Sequence, residues 1–273
     1  MFRSAVVSAI VLVLTGAVPT IAQAETKPKV PTCFGEKATI VGTKGADRIT
    51  LTKKHDVVVS LGGNDTIVPE FYNPDEGSAS DPYVYAKPSP SHDLVCTGEG
   101  NDWIIGDQGS SGYAYAVDAG PGNDRIGSGA LIYAGSGKDA VYYRDCSPTE
   151  VHGGPGDDDI VSGHSAYAEA GDEGPRPDRC PDDDDTIWGD GGNDRIDGED
   201  GDDVIYGGPG NDNIYGGTGN NRLYGWAGSD ILRGDSGNDL LDGGGVKGDI
   251  DRCGGGGGTN TYVKCERRIP GEH

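Results

Sequence analysis

Aspartate recurs at every ninth residue through positions 180–242, with one asparagine in its place, and this spacing carries the clearest chemistry in the chain. In rows of nine the stretch reads CPDDDDTIW, GDGGNDRID, GEDGDDVIY, GGPGNDNIY, GGTGNNRLY, GWAGSDILR and GDSGNDLLD. The sixth position holds Asp185, Asp194, Asp203, Asp212, Asn221, Asp230 and Asp239. The first holds Gly189, Gly198, Gly207, Gly216, Gly225 and Gly234 after an initial Cys180, and glycine also fills the fourth position in six of the seven rows. A glycine-rich turn aims main-chain carbonyls inward, and one carboxylate per row adds charge. The ligand set is all oxygen, which suits a hard divalent cation that takes six to eight oxygens, as Ca²⁺ does.

A repeated scaffold must hold these groups in line. The eighth position is apolar in every row: Ile187, Ile196, Ile205, Ile214, Leu223, Leu232 and Leu241. A period of nine fits neither an α-helix nor a long alternating strand. It fits a six-residue turn followed by a three-residue strand, with the eighth side chain inward and the seventh and ninth outward. Two rows then form one coil of 18 residues, and coils stack as parallel strands about 4.8 Å apart. Glycines at the first and fourth positions are expected to supply backbone angles that residues with a Cβ resist, and to let turns approach closely.

These rows resemble the RTX, or hemolysin-type, calcium-binding nonapeptide repeats, whose consensus is G-G-x-G-x-D-x-U-x. Weaker rows stand at 42–50, 51–59, 60–68, 97–105, 119–127, 134–142 and 153–161, with degenerate ones in the tail. The resemblance implies an all-β fold: a parallel β-roll, or right-handed β-helix solenoid, with loop insertions in the middle. It also implies several Ca²⁺ ions, held between stacked turns on the same side of the coil, in rows 18 residues apart. Carried over by position, the pairs are Asp185 with Asp203, Asp194 with Asp212, Asp203 with Asn221, Asp212 with Asp230, and Asn221 with Asp239. The carbonyls of Gly189, Gly198, Gly207, Gly216, Gly225 and Gly234 complete the shells. Asn221 keeps an oxygen and loses a charge, so its two sites are expected to be weaker. In the N-terminal block Asp47 pairs with Asp65. Stacked acidic turns repel one another, and ions that bind only the folded coil add free energy to it. Folding coupled to calcium is therefore expected. A metal-free solenoid and a disordered Gly/Asp chain are the alternatives, but disorder does not need an apolar residue at each ninth position.

Composition narrows the field. The 273 residues carry a formal net charge of −23, with 49 glycines and only 34% hydrophobic residues. Nucleic-acid binding needs clustered Lys and Arg, and is excluded as a reading. A membrane-spanning bundle lacks the apolar content. Residues 1–24 read as a signal peptide: a basic start at Arg3, an apolar stretch from Ala5 to Val18, and Ala22-Gln23-Ala24 as a small-residue cleavage signal. The mature chain is then extracellular, with no membrane span. Its six cysteines fit an oxidising compartment. Six cysteines allow 15 pairings; nearness along the chain favours Cys253–Cys265, Cys146–Cys180 and Cys33–Cys96.

The organisation expected is a signal peptide at 1–24, a lead at 25–41, degenerate rows with insertions at 42–179, a regular roll at 180–242 and a cap at 243–273. The insertions, 69–92 and 162–181 above all, should leave the roll at its turns. Trp188, Tyr206 and Tyr224 share the ninth position of rows 18 apart and should stack on one face, as a sheet-stabilising ladder or as a surface for sugar rings. The same position on the opposite face holds Asp197, Tyr215 and Arg233 and reads as solvated. No G-x-S-x-G or H-E-x-x-H occurs, the histidines are scattered, and no catalytic residue is assigned. The reading is an exported calcium-binding β-roll, not an enzyme. The alternatives are a module that binds extracellular glycans or cell-surface components, and a polysaccharide-acting β-helix enzyme.

Overall fold

Short strands of Val, Ile and Leu, each bounded by glycine turns, leave the chain one way to bury its apolar residues: coil upon coil. The computed structural model describes residues 30–52, 54–69, 92–105, 116–127, 129–142, 149–161, 184–245 and 247–269. The chain divides at residue 30 into two units, and every strand below belongs to the second. The signal-peptide assignment lies outside the described residues. Among the described residues there is no helix, so none is long and apolar enough to cross a membrane.

Two parallel sheets of eleven strands each form the solenoid. Sheet I runs from Ile40–Val41 through Val57–Val59, Leu94–Cys96, Ala116–Asp118, Leu131–Tyr133, Glu150–Pro155, Thr186–Gly191, Val204–Pro209, Arg222–Ala227 and Leu240–Asp242 to Thr261–Val263. Sheet II runs from Arg48–Thr50 to Arg267–Arg268, taking the strands that alternate with these in sequence. The register places like on like: Ile187 faces Ile205, Ile205 faces Leu223 and Leu223 faces Leu241 in sheet I, while Ile196, Ile214, Leu232 and Cys253 align in sheet II. These eighth-position side chains are fully buried in one continuous core that extends to Ile49. Each buried aliphatic of this kind is worth about 1.5–3 kcal/mol.

The two edges of the solenoid differ. From sheet I to sheet II the chain passes through the stretches 42–47, 60–65, 97–102, 119–124, 134–139, 153–158, 189–194, 207–212 and 225–230, the last four beginning inside the extended strands Glu150–Pro155, Thr186–Gly191, Val204–Pro209 and Arg222–Ala227, and then through the longer 243–251 and the short 264–266. This is the short-turn edge. Every lengthened connection of the middle region instead joins a sheet II strand to the next sheet I strand, on the long-turn edge: Val68 to Leu94, Ile104 to Ala116, Tyr142 to Glu150 and Val161 to Thr186.

Two of the expected disulfides are formed, Cys33–Cys96 and Cys253–Cys265; Cys146 and Cys180 lie outside the described residues. Cys33–Cys96 pins the antiparallel hairpin Thr32–Cys33 and Glu36–Lys37 to the outer face of sheet I, where Cys33, Val57 and Val59 form a second small core. On the same face the ninth-position rings stack as expected, and the column is longer than the sequence indicates. Tyr133, His152, Trp188, Tyr206 and Tyr224 follow one another with centroids 4.5–5.6 Å apart and planes within 13°. The opposite face is more ordered than a merely solvated surface. Arg233 Nη1 donates to the Tyr215 hydroxyl at 2.7 Å, and the Arg195 and Arg233 guanidinium groups lie over the Tyr215 ring.

Candidate metal centre

The sixth-position side chain lies at the end of each turn, just before the strand, and the pleat turns it inward. Asp194 and Asp212 are 2% exposed and Asp230 is fully buried. A buried carboxylate needs partners, and one of its oxygens finds the main chain of the preceding coil. Asp158, Asp194 and Asp212 donate their N–H groups to Oδ1 of Asp194, Asp212 and Asp230 at 2.8–2.9 Å. The same bond runs along the whole short-turn edge through Asp47, Asp65, Asp102, Asp124, Asp139 and Asp158, and beyond Asp230 through Asp251 to Glu266 Oε2. On the long-turn edge Thr149, Asp185, Asp203, Asn221, Asp239 and Asn260 form a second, shorter ladder.

The structure thus brings together every same-side pair that the 18-residue spacing indicates. It also adds Asp102, Asp124, Asp139, Asp158 and Asp251, which that spacing misses. Neighbours on the short-turn ladder are 37, 22, 15, 19 and 36 residues apart between Asp65 and Asp194. Their signal in the sequence is an aspartate at the sixth position of each weak row, not a constant interval.

The other carboxylate oxygen is the notable one. Oδ2 of Asp65, Asp124, Asp139, Asp158, Asp194, Asp212 and Asp230 is buried and meets no hydrogen-bond donor. In the glycine rows it points at the first-position glycine, where a second oxygen converges on it. A Cβ added to Gly189 would stand 2.5 Å from Asp194 Oδ2 and 2.6 Å from the Gly207 carbonyl oxygen. At Gly198 the corresponding atoms are Asp203 Oδ2 at 2.5 Å and the Gly216 carbonyl at 2.8 Å; at Gly153 they are Asp158 Oδ2 at 2.6 Å and the Gly189 carbonyl at 2.9 Å. Each cradle therefore gathers a carboxylate oxygen and the first-position carbonyl of the next coil. Asp158 Oδ2 and Asp194 Oδ2 meet no donor there, and a cation or a proton between carboxylate and carbonyl would offset the repulsion of the two oxygens.

Electrostatics state the same need. Burial pushes the Asp124 and Asp194 carboxyls up to about 8, Asp139 and Asp230 to about 7, and Asp158 and Asp212 to about 6. For Asp124, Asp139, Asp194 and Asp230, neighbouring ladder carboxylates push further the same way. Among the described residues no three His, Cys, Asp or Glu side chains gather into a cluster able to hold an ion. This follows from the design, since each turn gives one carboxylate and main-chain oxygens complete the set. The residues fit calcium: an all-oxygen cradle, a buried oxygen without a donor, and space that a methyl group would fill.

The glycine roles need correcting. The fourth position does adopt the left-handed region, as at Gly201 (φ 131°) and Gly219 (φ 121°). The first position does not; its glycine is required by the cradle alone. The second position is the other left-handed one, and it holds Asp190 (φ 66°), Glu199 (φ 62°), Trp226 (φ 76°) and Asp235 (φ 67°) despite their side chains. The fifth position carries a further ladder that the row pattern left unread. The N–H groups of Asn193, Asn211 and Ser229 bond to the side-chain oxygens of Asp157, Asn193 and Asn211 at 2.8–2.9 Å. It is exposed and runs opposite to the aspartate ladder.

A model of the RTX calcium-binding nonapeptide repeat matches the chain at residues 39–68, 92–110, 182–214 and 206–241, four copies in all. No curated protein matches it. The matched stretches contain Asp47, Asp65, Asp102 and the carboxylates from Asp185 to Asp239. Parallel coils, inward aspartates and these four matches agree: the chain carries RTX calcium-binding nonapeptide repeats, in four matched copies.

Proposed function

We propose that this is an exported protein whose roll binds several calcium ions and whose folding is coupled to that binding. One observation supports the reading above the rest: along the short-turn edge the buried Oδ2 atoms of Asp158, Asp194 and Asp230, without donors, face main-chain carbonyls. The residues that would hold the ions are Asp158, Asp194, Asp203, Asp212, Asp230, Asp239 and Asp251, with the first-position carbonyls of Gly189, Gly207, Gly216 and Gly243 beside them. Asp185 continues the long-turn ladder toward the insertions. Bound calcium supplies the positive charge that offsets the stacked carboxylates. The chain's part is to hold two oxygens at each cradle, exclude water and keep the turns in register.

Disulfides support an oxidising, extracellular setting. Extracellular calcium modules have dissociation constants of about 10⁻⁴–10⁻³ M, so the roll would stay open in a low-calcium cytosol and close outside the cell. The activity is binding rather than catalysis. The aromatic column fits a structural ladder: its rings spend their faces on one another and turn edges outward, whereas a sugar ring stacks on a free face.

Circular dichroism of the mature chain, first in chelator and then through a calcium titration with magnesium as control, tests the reading. A cooperative gain of β-signal with calcium alone is expected. A full β-spectrum in chelator that calcium leaves unmoved would overturn the coupling.

A further inference from the structure

Not every rung is built alike, and the departures share a pattern. In the glycine rows, the first-position carbonyl of the next coil faces a carboxylate oxygen. At Ser60, Thr97 and Asn221 that same carbonyl faces a donor. Ser60 Oγ donates to the Thr97 carbonyl at 2.8 Å, and Thr97 Oγ1 to the Ala119 carbonyl at 2.9 Å. Both residues occupy the first position, so their side chains stand where a glycine row leaves space, and both are fully buried.

At Asn221 the departure lies in the sixth position. Its Oδ1 accepts the Asp203 N–H at 3.0 Å, as an aspartate would. That bond fixes the amide: Nδ2 must point into the cradle, and it lies 3.4 Å from the Gly234 carbonyl and 3.5 Å from that of Gly217. A Cβ added to Gly216 would meet this nitrogen at 2.7 Å, where aspartate rows present an oxygen. The outermost N-terminal rung is closed in a third way. Asp47 Oδ2 accepts both the Thr43 N–H at 2.6 Å and Thr43 Oγ1 at 3.0 Å.

We propose that Thr43, Ser60, Thr97 and Asn221 stand in for the ion, so that their cradles are closed by the chain's own donors and take no calcium. A cation at Thr43 or Asn221 would meet N–H or O–H hydrogens; at Ser60 and Thr97 the side chain fills the space a glycine leaves and its hydroxyl already holds the carbonyl, while Asp65 Oδ2 keeps no donor. The inference rests on the calcium reading above and divides the roll. The first three short-turn rungs, those of Asp47, Asp65 and Asp102, hold without metal, next to the Cys33–Cys96 crosslink. Calcium is confined to rungs with glycine at the first position, aspartate at the sixth and no donor on that aspartate's Oδ2; the Asp47 rung has Gly42 at its first position and is excluded by the Thr43 donors alone. Asn221 is then a metal-free rung inside the regular block, instead of the weakened site that its lost charge alone implies.

The test converts donors back to the pattern, in the full mature chain. Bound calcium per chain is counted by equilibrium dialysis for the wild type, Asn221→Asp and Thr97→Gly. Each variant is expected to bind one more ion than the wild type, and Asn221→Asp is expected to lose amide-exchange protection at 216–221 in chelator and recover it with calcium. An unchanged ion count in both variants, with a wild type that does bind calcium, overturns this inference and leaves the calcium reading standing. A wild type that binds none overturns both. The two variants lie on opposite edges and far apart in sequence, so a folding failure in one leaves the other decisive.

Discussion

Gly189→Ala tests the cradle without removing a ligand atom, since the Gly189 carbonyl that faces Asp158 is main chain. Gly189 has an ordinary backbone angle, so alanine carries no conformational strain there. Its methyl would stand 2.5 Å from Asp194 Oδ2 and 2.6 Å from the Gly207 carbonyl, in the space an ion bridging them would need. Overpacking against the carbonyl costs about 1–3 kcal/mol whatever the calcium concentration. The lost ion adds a term that depends on calcium. A site that binds only the folded state stabilises by about 2.7 kcal/mol when calcium is 100 times its dissociation constant, or roughly 5–10 °C in melting temperature at about 2–4 °C per kcal/mol. The two terms separate in the slope of unfolding free energy against log calcium, which falls by about 1.4 kcal/mol per decade for each ion lost. The assay is urea unfolding at three or more calcium concentrations. Gly191→Ala is the control: its added methyl meets nothing within 4 Å, also at an ordinary angle, and should leave slope and stability within about 0.5 kcal/mol of wild type. If Gly189→Ala is destabilised with an unaltered slope, the ion does not occupy this cradle and the assignment of Asp194 fails with it.

Further expectations concern other parts of the ladder. Asp212→Ala should raise the calcium midpoint more than Asn221→Ala, because Asp212 lies between the charged rungs of Asp194 and Asp230; equal midpoints in dichroism titrations count against this register. Asp158→Asn should remove about one ion from the dialysis count even though its row lies outside the regular block, and an unchanged count returns Asp158 to a purely structural role. The pH dependence has a definite sign. Folded-state values raised to about 6–8 at Asp124, Asp139, Asp158, Asp194, Asp212 and Asp230 mean that protons favour the metal-free roll. Their contribution is complete below the unfolded value of about 3.9 and is lost as pH rises through 6 to 8. In chelator, β-signal should fall from pH 5 to 8; with calcium, the midpoint should move to higher calcium as pH falls from 8 to 6. Opposite trends would show the carboxylates to be solvated.

Much of this was legible in the residues. The inward column from Ile187 to Leu241 and the aspartates beside it follow from a nine-residue period that only a turn and a short strand satisfy. The ladder of the middle region was not, because insertions shift its members to irregular intervals; only the coils show that Asp102, Asp124 and Asp139 continue the line of Asp65. The first-position glycine was legible as a requirement but not as to its cause, since a conformational need and a steric one leave the same letter in the row. His152 and Tyr133 joined the aromatic column for the same reason as the missed aspartates: their distance from Trp188 along the chain hides a neighbour relation across the sheet. The hydroxyls of Ser60 and Thr97 look like plain lapses from the consensus until their acceptors are seen.

The segregation of the middle region's long connections to one margin has a consequence for how such a molecule can change. The opposite margin acts as a spine whose indexing depends on nothing that happens along the fringe. Segments of any length can be gained or shed between a sheet II strand and the sheet I strand that follows, and the coils on either side keep their alignment. Sequence drift between those strands in the middle of this chain therefore leaves the column of acids on the other margin undisturbed.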